Sequence, residues 1–169
     1  MSESSLLTVG RLRYAGAALA YLVALVHLFH PTHGFARLVT LLVADASLLV
    51  ADPRPLAFVL SGFAIVAGVN LLLFDVPRRP VYALGAGLVA TYVVGYFAWH
   101  LSGHGGVLPG REPLFHGLAP HEAVLDHLTS DPWAAAAVGS ELLLLAVLAL
   151  LWNREFADEA ATHATTESD

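Results

Sequence analysis

Val81–Gly106 reads VYALGAGLVATYVVGYFAWHLSGHGG. From Val81 to Leu101 the run carries no Asp, Glu, Lys or Arg. As a helix rising 1.5 Å per residue it would be about 30 Å long, the thickness of a bilayer's hydrocarbon core. It then ends in two histidines, His100 and His104, followed by glycines. A spanning helix with imidazoles at its end is the pattern around which the remaining sequence falls into place.

Only 13% of the 169 residues are charged and 57% are hydrophobic. Soluble domains carry about 25% charge, and the mean hydropathy here is +0.67. The predicted class is therefore an all-α, polytopic membrane helix bundle at the cell membrane. Cysteine is absent, which excludes disulfides, thiolate metal sites and thiol catalysis. All eight basic residues are Arg, against 14 acids. That balance argues against nucleic acid and against anionic lipid heads as partners. The lack of Lys and the acidic ends resemble the composition of proteins from extreme halophiles.

Read in order, residues 1–13 form a polar N-terminal segment and 14–152 a single transmembrane domain. Five spans are predicted at about 14–29, 35–50, 56–74, 81–101 and 133–152, followed by a disordered acidic tail at 153–169. The first run is read as a retained helix, because His30-Pro31-Thr32-His33-Gly34 stands where a signal-peptide cleavage site would need small residues. The second is short for a crossing and carries Asp45. Asp52-Pro53 and Asp131-Pro132 each supply a cap and first position for the helix that follows. Within the 102–132 loop, Pro120–Leu128 (PHEAVLDHL) places Val124, Leu125 and Leu128 on one face, as in a short interfacial helix. Trp133 and Trp152 bracket the last span, as interfacial aromatics do. Small residues mark the faces expected to pack: Gly16, Ala20 and Ala24 leading to His27; Ala64 and Gly68; Gly87, Thr91 and Gly95. Five crossings put four arginines on each side, so charge gives no orientation.

An ionisable side chain inside hydrocarbon costs at least about 2.5–3.5 kcal/mol and persists where it is paired, hydrated or useful. Five spans would place Asp45, His100, His104 and Glu141 in one leaflet. Two imidazoles and two carboxylates suit Zn, Mn or Fe, or a proton relay. A second cluster, His27, His30 and His33 in H-x2-H-x2-H spacing, would lie on the opposite face and suits Zn or Cu(II). Haem ligation is less well supported, because no second His at matching depth accompanies His27. His116, His121 and His127 are expected as outer ligands or pH-sensitive groups on the His100 side. There is no nucleophile elbow, no H-E-x-x-H and no dinucleotide or phosphate loop.

Two functions follow as expectations. The first is a non-enzymatic accessory or interaction component of the membrane, with lipid, other membrane proteins or its own copies as partners. The second is a metal-binding or proton-relaying membrane protein, either a small transporter or a redox-linked subunit. The composition does not favour an enzyme.

Overall fold

The computed structural model describes residues 3–74, 76–107 and 111–166, and they are all-helical. Seven helices follow one another: α1 (Glu3–Phe29), α2 (Phe35–Ala44), α3 (Leu48–Ala51), α4 (Arg54–Leu71), α5 (Arg78–Leu101), α6 (Pro120–Ser130) and α7 (Pro132–Thr166). Four stretches are long and apolar enough to cross a membrane: Val9–Phe29, Arg54–Leu71, Arg78–Leu101 and Pro132–Phe156. They mark the chain as a membrane protein.

The expected fifth span at 35–50 is replaced by two short helices. α2 has 10 residues, about 15 Å of helix and half of what a hydrocarbon core requires. Asp45 ends it. Its backbone is extended at φ −167°, and its carboxylate accepts the Ser47 N–H at 2.8 Å. Such a local bond gives the backbone an alternative to continuing the helix. α3 then adds one turn before Asp52 and Pro53 start α4. Asp52 accepts the Arg54 N–H and holds the Arg54 guanidinium through two contacts of 2.7 and 2.8 Å.

The other starts follow the expected chemistry. Asp131 Oδ1 accepts the Trp133 N–H at 2.9 Å, with Pro132 as the first residue of α7. Glu122 reaches back to the Ala119 N–H at 2.9 Å and secures the start of α6, half of a capping box. At the far end, α7 continues through 153–166, where the sequence pointed to an unstructured tail. That segment is rich in Ala and Glu and lacks Gly and Pro, so nothing in it stops the helix.

α1 packs on α4 on one side and on α7 on the other, and α7 packs on α5. The stripe Gly16, Ala20, Ala24 and His27 is buried as expected. A Cβ on Gly16 would lie 3.1 Å from Val147, and one on Gly62 would run into Leu28. Both glycines mark close helix approach. The core joins Val23, Ala24, Ile65, Val89 and Leu144. The expected stripe on α5 turns the other way: Gly87, Thr91 and Gly95 are exposed. The inward face of α5 carries Tyr82, Val89, Tyr92, Tyr96 and His100 instead. Aromatic bulk there fills a space that small residues would leave open.

Because 35–50 does not run the length of the bundle, the ends of α1 and α5 and the starts of α4 and α7 meet at one end. His30 contacts Phe58 and Trp133 there, and the Arg54 guanidinium stacks on Trp99 at 4.2 Å. At the other end Arg13 pairs with Glu155 at 2.9 Å, and Tyr82 packs on Phe156. The two histidine groups expected on opposite faces therefore share one end.

Candidate metal centre

α5 stops at Leu101, and His104 does not extend its face. Gly103, His104 and Gly105 take left-handed backbone angles in succession, φ 68°, 55° and 83°. The Gly105 N–H closes the end by donating to the Trp99 carbonyl at 3.1 Å, and Leu114 N–H donates to the Gly103 carbonyl at 2.9 Å. This is a Schellman-like ending that turns the chain back on itself. Glycine adopts such angles freely, whereas a histidine there costs of order 1–2 kcal/mol. Strain of this kind collects where a side chain must be held for use.

The turn swings His104 back beside His100, and α6 brings His127 to both. The ligand nitrogens of His100, His104 and His127 all lie within 4.8 Å of one another. His100 Nδ1 lies 2.9 Å from the Tyr96 carbonyl and His104 Nδ1 2.7 Å from the Leu114 carbonyl. A carbonyl oxygen only accepts, so both Nδ1 atoms carry the hydrogen. In the neutral rings each Nε2 is then the free lone pair, and that of His104 turns to His127. Backbone carbonyls that fix the tautomer in this way are the usual outer shell of metal-bound histidines. His104 Nε2 lies 2.9 Å from His127 Nε2, a gap that one hydrogen or one cation can fill. Zn–N bonds of about 2.0–2.1 Å at tetrahedral angles set nitrogens about 3.3 Å apart, so holding an ion needs that pair to open slightly and the third nitrogen, within 4.8 Å, to settle to the same spacing. The His116 ring is 5.0 Å from that of His104, and the residue is exposed, within reach of a fourth position.

His127 is held by packing. Ala123 and Val124 are buried and Leu128 is half-buried on α6, and His127 falls on that stripe at i+3 and i+4. That spacing was the available signal that His127 belongs with the inner histidines. Leu125, expected on the apolar face, is exposed.

The four residues grouped from the sequence do not stay together. Asp45 is exposed at the α2–α3 break, and hydrogen bonds from Ser47 hold its carboxyl below the usual range. Glu141 is buried against His27, away from the trio, with Oε1 3.2 Å from His27 Nε2. Only His100 and His104 of the four share a cluster. Nor do His27, His30 and His33 point at a common centre. His30 Nδ1 accepts the Thr32 N–H at 3.3 Å, the His33 ring lies 4.8 Å from that of His30, and His27 turns to Glu141. Burial lowers the pKa of His30. Burial, followed by the Arg54 charge, pushes His33 down to about 4. Both imidazoles are therefore held neutral beside the cationic layer of Arg54 and Arg111. Those two guanidinium groups cover Trp99 at 4.2 and 5.2 Å.

No known protein family, curated protein or solved structure matches the chain.

Proposed function

We propose that the protein is a non-enzymatic integral membrane protein of four crossings that binds one divalent transition-metal ion through His100, His104 and His127. The observation that carries this reading is the orientation of the rings. Two of the three spend Nδ1–H on backbone carbonyls, which leaves Nε2 as the free donor atom of each ring in a cluster with no carboxylate among its members. Three neutral imidazoles without a thiolate or carboxylate suit Zn(II) or Cu(II) better than the Mn or Fe of a mixed His and acid set. The ion would keep its double positive charge and an open position for water, His116 or a passing ligand.

Four crossings would also break the tie in the arginine count. Arg11, Arg13, Arg78, Arg79 and Arg154 gather at the end opposite the histidines, against Arg37, Arg54 and Arg111 at the histidine end. The positive-inside rule then orients the chain with both ends of the sequence in the cytoplasm and the histidines outside.

The test is elemental analysis and zinc or copper titration of detergent-purified chain without a His tag. One ion per chain is expected. Loss of an outer-shell partner alone costs metal sites about 10–100-fold, so His127→Ala should weaken binding by about 100-fold or more. Asp45→Asn should leave it unchanged. A metal-free protein that fails to take up either ion, or equal losses in both variants, would refute the site.

A further inference from the structure

Outside the trio, the most deeply buried titratable side chains among the described residues are those of His27 and Glu141, 1% and 3% exposed. His27 Nδ1 is 3.0 Å from the Val23 carbonyl. It must donate, since the carbonyl has no hydrogen to give. Nε2 faces Glu141 Oε1 at 3.2 Å, off the axis of an aligned hydrogen bond. In a neutral ring that Nε2 is a lone pair, and an ionised carboxylate brings another. Two such groups buried face to face, with no hydrogen between them, lose their hydration and repel. The geometry therefore calls for one additional proton, held on Nε2 or on the carboxyl, which leaves the pair with no net charge.

Among the described residues the walls offer no cation in place of that proton. α4 contributes the Phe58 ring at 4.8 Å and Ser61, whose hydroxyl donates to the Phe58 carbonyl. α5 contributes Tyr92, whose ring lies 4.6 Å from that of His27 and whose hydroxyl faces Ser61 and Glu141. α7 contributes Glu141 itself, and the only basic residue of α2, Arg37, is exposed. On α1 the next imidazole is His30, which feels Asp131 and Arg54. Among the described residues no Arg forms an ion pair with Glu141.

Tyr92, Tyr96 and His100 repeat every four residues along one face of α5. Tyr92 touches His27, and the Tyr96 ring lies 4.3 Å from that of His100. Between them the Tyr96 hydroxyl is buried with no hydrogen-bond partner. The helix rise from residue 92 to residue 100 is about 12 Å, which sets the scale of the separation between the buried pair and the metal centre.

We propose that the His27–Glu141 pair is a proton-binding site that empties when the trio takes up its cation. The proposal rests on the metal-binding reading above. The hydrated ion exchanges water for three imidazole nitrogens. The pair releases one proton past His30 and His33 to water and passes from no net charge to −1. No electron moves. A divalent ion and a unit charge about 12 Å apart, at an effective dielectric of about 20, couple by of order a hundredfold in affinity. By linkage, each event shifts the other by the same factor.

The experiment is calorimetric titration of Zn²⁺ into the full chain in detergent, in buffers of differing ionisation enthalpy, which counts the protons released per ion. Glu141→Gln keeps the shape and offers an amide N–H to His27 Nε2. The wild type should release about one proton more than Glu141→Gln, and the variant should bind zinc of order ten- to a hundredfold more weakly. Glu141→Leu, which also removes the carboxyl, should lack the same proton, and it decides the matter if Glu141→Gln does not fold. Zinc binding with an unchanged proton count in the folded variant overturns this proposal and leaves the metal centre standing. Absence of zinc binding to the wild type overturns both.

Discussion

Single residues decide whether the trio exists. A Cβ on Gly105, at φ 83°, would come 2.5 Å from the Trp99 ring. Gly105→Ala should therefore destabilise the fold by about 2–4 kcal/mol, combining the left-handed penalty with overpacking. It should also shift the Trp99 fluorescence as the ring moves away from Arg54 and Arg111. An unchanged melting temperature and emission would mean that the left-handed turn does not hold the site. His100 and His104 were legible as a pair because they stand four apart, but the route by which they meet was not. A helix face would have needed φ near −60° through residue 104, and the glycines on either side allow a tighter reversal. Glu141 was legible as a buried acid. Its partner was not, because helix neighbours are not fixed by order along the chain. Five crossings would put His27 at the other end of the bundle.

At the scale of elements, most helix limits followed from Asp-Pro starts and apolar length, and 35–50 was the exception. Its composition is as apolar as that of a crossing, but length and a single Asp override composition. A ten-residue helix is too short to span a hydrocarbon core, and Asp45 bonds to Ser47 rather than letting α2 continue. That one break moves every later element to the other end. A reporter inserted after Thr32 and another after Glu112 should therefore fall on the same side of the membrane. Opposite sides would restore the fifth crossing and separate His27 from Glu141. Changing Asp45 to Leu tests the same point, since it removes the side chain that ends α2; a longer α2 is the expected result in helix-resolved hydrogen exchange.

For the whole molecule, acid is the expected weakness. His33 is held near pKa 4 in the fold against 6.5 in the open chain, and His30 is lowered in the same sense. Between those values the unfolded chain binds protons that the folded chain refuses, so stability is lost as pH falls from 6.5 to 4 and is fully present above 6.5. With chelator present to remove metal effects, the melting temperature in detergent should drop across that window, and His33→Asn should flatten the drop. A profile unchanged by the substitution would show that His33 titrates normally. The detour through α2 and α3 has a vectorial consequence as well. Under the four-crossing reading, eight of the nine histidines belong to the end of the bundle toward one compartment, with His27 buried just inside it, and both chain ends lie toward the other. Sealed vesicles should then take up an impermeant ion at this protein from one direction only. A population inserted in both orientations should bind half of its complement until the membrane is opened.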